Sequence, residues 1–161
     1  MEKVDKNCIG ISEDRLHHII GVARKAYSIA KDMGYDDYFA KKMFAIGWNH
    51  DIGYEFSKEA KEHPSLGAAI LYSTFGVNEK PAFNAINEHG YVTENDTLEY
   101  KILSMADLLI DGKGKEVTVL QRLEDIRTRY GVEAPEYQNA YRVARHVGLL
   151  SEVNTSNALT L

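Results

Sequence analysis

In the segment Phe44-Ala45-Ile46-Gly47-Trp48-Asn49-His50-Asp51-Ile52-Gly53-Tyr54, an apolar run closes on His50-Asp51, and a glycine follows two residues later. Upstream, Asp36 or Asp37 stands where an N-cap belongs, and Ala40, Met43, Phe44, Ala45, Ile46, Gly47 and Trp48 are apolar nearly all round. A helix of that kind belongs at the centre of a bundle. His50 and Asp51 therefore emerge from its C-terminal end inside the protein. A buried polar group without a partner costs roughly 2–7 kcal/mol. A helix cap followed by an ordinary turn accounts for the dipeptide taken alone. A divalent cation satisfies both groups at once, and the rest of the chain bears on that choice.

Helical spacing dominates in both directions from this segment. Before it, Ser12 caps a helix in which Leu16, Ile19, Ile20, Ala23, Ala26, Tyr27, Ala30 and Met33 recur at steps of three and four, closed by Gly34. His18 borders that stripe and Arg15 lies one turn earlier; His17 reads as an ordinary surface histidine. After it, residues 53–62 read as a loop or short helix. His63-Pro64 opens a third helix with His63 at the N-cap and Gly76 as its close. Pro81 starts a fourth helix that ends at Glu88-His89-Gly90, and Asp96 or Thr97 caps a fifth that carries Asp107 among Leu103, Met105, Ala106, Leu109 and Ile110. Asp111-Gly112-Lys113-Gly114-Lys115 reads as a flexible basic loop. Further helices are expected at about 116–129 and 136–149, with His146 on a surface, and then a loose tail from Ser151 to Leu161. The fold class is all-α, a compact bundle of about six to seven helices in a single domain over residues 1–161, with its motifs in 12–112.

The 161 residues suffice for one sizeable core, and 44% hydrophobic with 27% charged residues is ordinary for a globular protein. A net charge of −5 argues against a nucleic-acid polymer or an acidic membrane as partner. It leaves room for an anionic small substrate, because a metal reverses the sign locally. The single Cys8 excludes an intrachain disulfide and suits a reduced, intracellular setting. The first residues lack the apolar core of a signal peptide, and no stretch approaches the roughly 18 apolar residues of a membrane span. The expected location is the cytoplasm.

Imidazoles and carboxylates thus lie against apolar structure at five separate places: His18, His50-Asp51, His63, His89 and Asp107. Nitrogen and oxygen donors of these types suit divalent iron, manganese, cobalt, zinc or magnesium better than soft copper. One ion can take His18, His50, Asp51 and Asp107. A second can share Asp51 and recruit His63 and His89, since a carboxylate bridges through its two oxygens.

The order His18, His50-Asp51, Asp107 resembles the HD superfamily of metal-dependent phosphohydrolases. Arg15-Leu16-His17-His18 with Val22-Ala23 is similar to that family's first-helix motif, Gly47-Trp48-Asn49-His50-Asp51-Ile52-Gly53 to its central signature, and Met105-Ala106-Asp107 to its closing motif. His63-Pro64 with Gly67-Ala68, followed by His89, resembles the members that hold two metals. Tyr54 stands where many members carry Lys, and His89 is single where some binuclear members carry a His-His pair, so no subfamily is selected. The symmetric dinucleoside-tetraphosphate hydrolases are one similar binuclear group.

The resemblance implies hydrolysis of a phosphate ester or phosphoanhydride of a nucleotide-like substrate by water that the metal activates. One or two divalent ions would serve as cofactor, with His50 and Asp51 at the catalytic centre. Asp51 is the candidate to orient the water or accept its proton. Arg15, Lys58, Lys113 and Lys115 are the candidate phosphate contacts; the Gly-Lys-Gly-Lys run lacks the spacing of a nucleotide-triphosphate cradle. The alternatives are a non-catalytic metal- or nucleotide-binding domain and a di-iron oxygenase of the same superfamily. The expected partner is a small phosphate-bearing molecule, with a homodimer left open.

Overall fold

A computed structural model describes residues 7–75 and 79–151. Seven α-helices run through them: α1 (Glu13–Asp32), α2 (Asp37–Asn49), α3 (His63–Phe75), α4 (Lys80–Glu88), α5 (Leu98–Leu108), α6 (Val119–Tyr130) and α7 (Pro135–His146). Short 3-10 turns at Ile52–Glu55 and Ala60–Glu62 join α2 to α3. Among the described residues there is no β-strand; a lone antiparallel bridge pairs Ile110 with Glu116. The architecture is the all-α bundle expected.

Local chemistry starts most helices where the sequence places them. The Ser12 hydroxyl accepts from the Arg15 amide, the Asp36 carboxylate from Phe39, and the Thr97 hydroxyl from Tyr100, each relieving an amide that the first turn leaves unpaired. Thr118 and Gln121 form a reciprocal capping box at the start of α6, so that helix begins at Val119 rather than near 116. The last helix spans Pro135–His146, shorter than 136–149, and Val147 is its cap.

Several expectations need correction. α2 is not buried all round: its buried residues are Ala40, Met43, Ile46 and Gly47, while Trp48 is 45% exposed and stacks on Phe44 at 5.9 Å. One face of α2 packs on α1, and the outer aromatic pair shields itself. Leu16, counted in the apolar stripe of α1, is likewise exposed. His63 is not an N-cap; it has helical angles (φ −60°, ψ −35°) because the preceding 3-10 turn runs straight into α3. The 111–115 segment is a tied turn: the Asp111 carboxylate accepts from the Lys113 and Lys115 amides, both at 2.9 Å. Gly76 and the tail beyond Ser151 lie outside the described residues.

The main core draws on α1 to α5, with Val22, Ala26, Met43, Ala68, Ile86, Ile102 and Leu103 buried in it. A second cluster, Leu108, Leu123, Val143, Ala144 and Leu150, fastens α6 and α7 to the far side of α5. Gly53 fixes one approach that matters for the site. A methyl group there would stand 1.9 Å from the His63 carbonyl oxygen and 2.7 Å from the Gly67 amide nitrogen. Only glycine lets the chain after Asp51 lie directly on α3. No described helix is long and apolar enough to cross a membrane.

Candidate metal centre

Three helices end at one buried point. His50 caps the C-terminus of α2, His89 caps that of α4, and Asp107 lies in the last turn of α5. α1 passes beside them and contributes His18 from its buried face. Asp51 follows His50 directly, and His63 enters at the junction of the 3-10 turn with α3. The structure therefore brings together His18, His50, Asp51, His63, His89 and Asp107. His50 is fully buried, the side chains of His18, Asp51 and His89 expose 3% or less, and Asp107 keeps 24% of its side chain accessible.

All four imidazoles are oriented in the same way. His50 Nδ1 bonds to the Gly47 carbonyl at 2.6 Å, His89 Nδ1 to Ile86 at 2.6 Å, and His63 Nδ1 to Ala60. Each of those carbonyls lies three residues back, and those of Gly47 and Ala60 also accept the amide of the same histidine, so ring and backbone share one acceptor. His18, from mid-helix, uses the Asp111 carbonyl at 2.8 Å. A carbonyl only accepts, so every Nδ1 carries a proton and every Nε2 faces the centre, able to give a lone pair to a cation or, when protonated, a hydrogen bond to a carboxylate. That second contact fixes the tautomer of a metal-ligating histidine.

The Nε2 atoms meet the two carboxylates. Asp51 Oδ1 lies 3.2 Å from His63 Nε2, 3.3 Å from His89 Nε2 and 3.5 Å from His50 Nε2. Asp107 Oδ1 lies 2.9 Å from His18 Nε2 and 3.8 Å from His50 Nε2. Two triads, His18/His50/Asp107 and His50/Asp51/His89, each hold their ligand atoms within 4.8 Å of one another. His50 is common to both.

Two observations test whether the donors fit a cation. His50 Nε2 is buried and has no hydrogen-bond partner among the described residues. An orphaned buried acceptor costs roughly 1–3 kcal/mol unless something fills the gap. The Nε2 atoms of His63 and His89 also stand 2.9 Å apart. Two lone pairs at that distance repel, so a proton or a cation must lie between or beside them. The nitrogen and oxygen donor set fits a borderline or hard divalent ion.

The electrostatics follow from the same packing. Burial pushes the His50 imidazole down to about 4, which keeps it neutral and free to donate its lone pair. Burial alone would raise Asp51, but His50, the contacts from His63 and His89, and then His18 hold it well below the usual carboxylate range. Asp107 is lowered against its burial by the His18 contact and by His50. Burial would lower His89, yet its hydrogen bond and attraction to Asp51 raise it.

Of the four candidate cations, Arg15 joins the cluster: its Nη1 donates to Asp51 Oδ2 at 2.8 Å, with a third of the side chain still exposed. Lys58, Lys113 and Lys115 are exposed, and Lys113 lines a different cavity. Sequence reasoning missed Tyr54. Its ring stacks on His63 at 4.0 Å and nearly parallel (14°), and the Arg15 guanidinium lies over it at 4.2 Å. Burial, then the charge of Asp51, raises its phenol. The available signal was its place three residues after Asp51, where the HD pattern often carries Lys.

A family model of the HD domain matches residues 15–110, a span that runs from the first turn of α1 through α5 and holds all six clustered side chains. No curated protein and no solved structure gave a match. With its fold, its donor cluster and more than half its length in agreement, the chain belongs to the HD domain family, whose members are of the metal-dependent phosphohydrolase type.

Proposed function

We propose that this protein hydrolyses a phosphate ester or phosphoanhydride of a nucleotide-like substrate, using two divalent ions. The observation that carries this reading is the convergence of four proton-fixed imidazoles and two carboxylates on one buried point, with His50 Nε2 unpartnered there. His18, His50 and Asp107 would hold one ion, and His63 and His89 the other, with Asp51 placed to serve either. Bound there, the ions would lower the pKa of a water toward about 7 and take up charge on the phosphoryl oxygens.

The protein's own groups divide the remaining work. His18, His63 and His89 keep their Nδ1 protons on backbone carbonyls, so the rings cannot turn away from the centre. His50, its imidazole pushed down by burial, is neutral at pH 7 and serves as a lone-pair donor. Asp51, held as a carboxylate, is the group to orient the attacking water. Arg15 keeps Asp51 in place with one nitrogen and has further N–H groups at the partly open side, where a phosphate oxygen would arrive. Two divalent ions against two carboxylates leave a local charge of about +2, enough to draw an anion to a protein of net −5.

The test is a phosphate-release screen of nucleotides and dinucleoside polyphosphates with added manganese, iron, cobalt or magnesium, run beside Asp51→Ala. Turnover that depends on the metal and falls to background in Asp51→Ala is the expected result. Activity that survives the substitution would remove the mechanism. Metal analysis giving one ion per chain would leave hydrolysis standing and take His63 and His89 out of the ligand set.

A further inference from the structure

Outside the metal cluster, a cavity of about 470 Å³ lies between α1 and the 110–116 turn. Its size falls within the roughly 300–1,000 Å³ of small-molecule sites and is far more than one inorganic phosphate needs. Its charge is opposite in sign to that of the whole chain. Arg24, Lys25 and Lys113 line it against a single carboxylate, Glu116, in a protein of net −5.

The cations are not equivalent. Lys25 is paired with Glu116, which closes one edge of the cavity. Arg24 and Lys113 have no acidic partner among the described residues, so their charge is available to a ligand. They come from different elements, the third turn of α1 and the tied turn, and so reach the cavity from two sides. Ile20 and Ile110 supply an apolar lining between them.

The wall is held in shape. Gly114 takes φ +86°, and a methyl group there would stand 2.4 Å from the His17 carbonyl oxygen, so the turn lies hard against α1. The Asp111 carboxylate pins the Lys113 amide, and the Ile110–Glu116 bridge closes the base of the turn. Lys113 is thus displayed from a fixed backbone rather than from a free loop. The same turn carries the Asp111 carbonyl that orients His18, so the cavity and the metal centre share a wall.

We propose that this cavity is a second ligand site, taking a small organic phosphate of the nucleoside-diphosphate class. Arg24 and Lys113 clasp its phosphates, and its organic part lies on the half-buried Ile20, with the buried Ile110 beneath. The guanidinium fork of Arg24 suits a phosphate's paired oxygens, and Lys113 adds a point charge. The site stands independently of catalysis at the metal centre.

The experiment titrates full-length protein, stripped of metal by chelation and dialysed at low salt, with ADP by calorimetry. Removing metal keeps phosphate from being held through ions at the other centre. Saturable binding at one site is expected, weakened about tenfold by Arg24→Ala and by Lys113→Ala, recovered in part by Arg24→Lys, and unchanged in Asp107→Asn. Both cations are exposed or at the surface of the cavity, and unaltered circular dichroism of each variant would show that the fold persists. Three results would each overturn the proposal: no saturation with ADP at millimolar concentration, a double Ala variant that binds ADP as well as the parent, or loss of binding in Asp107→Asn.

Discussion

Tyr54 illustrates what a single side chain contributes without offering a ligand atom. It stacks on His63 and lies under the Arg15 guanidinium, so it steadies one imidazole and the cation that pairs with Asp51. Tyr54→Ala should lower affinity for manganese about tenfold, whereas Tyr54→Phe, which keeps the ring, should stay near the parent; competition with a chelating dye reads the difference. His50 makes a prediction about pH in metal-stripped protein. Its imidazole titrates near 4 when folded and at the ordinary 6.5 when unfolded. Between those values the unfolded chain binds the extra proton, so stability falls as pH drops from about 6.5 to about 4, by about 3 kcal/mol in all. His89, raised by Asp51, acts in the opposite sense: its stabilisation is present below 6.5 and is lost as pH rises through the raised value. Asp51 and Asp107, both lowered, lose theirs only as pH falls through their own depressed values. Urea unfolding at pH 7 and pH 4.5 should therefore show a smaller pH dependence for His50→Gln than for the parent. Six donors were legible from sequence because each stands at a helix end or in an apolar stripe where an unpaired polar group is conspicuous. The orientation of His18 was not, since its carbonyl partner Asp111 lies 93 residues away. Nor was the Tyr54 stack, which forms only once α1 and α3 have packed around the turn.

Helices and turns show a similar division. The cap at Ser12 was readable, and those at Asp36 and Thr97 to within one neighbour, because a cap is a bond across three residues and needs no tertiary information. The outward side of α2 was not readable, since an apolar run does not say which of its faces a neighbour will cover. The 111–115 turn looked loose from its glycines and lysines, and the bonds from Asp111 that tie it are local but depend on side-chain direction. Gly53 is the position where an element contact is most exposed to mutation. Gly53→Ala should destabilise the protein by about 3 kcal/mol or more in urea unfolding, because the added methyl meets backbone rather than a movable side chain. It should also loosen metal binding, as His63 is one of the atoms displaced. Thr118→Ala removes the capping box of α6, remote from the cluster, and should cost about 1 kcal/mol while leaving metal affinity unchanged. The pair separates loss of the site from loss of stability.

For the protein as a unit, the donors come from α1, α2, α3, α4 and α5, so two cations bound among them would together tie five helices. Ligand that binds only the folded state adds about 4 kcal/mol at a thousand times its dissociation constant. Manganese should accordingly raise the melting temperature by several degrees in calorimetry, chelation should reverse the rise, and Asp107→Asn should reduce it. The C-terminal pair α6 and α7 has its own cluster against α5 and supplies none of the six donors. The termini of the helices add a consequence of their own. α2, α4 and α5 all finish at the cluster, and none has a basic residue in its last turn, whereas α1 ends with Lys31, α6 with Arg127 and Arg129, and α7 with Arg145 and His146. Each helix macrodipole places about half a negative charge at its C-terminus, and here three such poles converge with the Arg15 guanidinium among them. The resulting field favours a cation over a bare anion, so under the proposed function a phosphate would follow the metal rather than precede it.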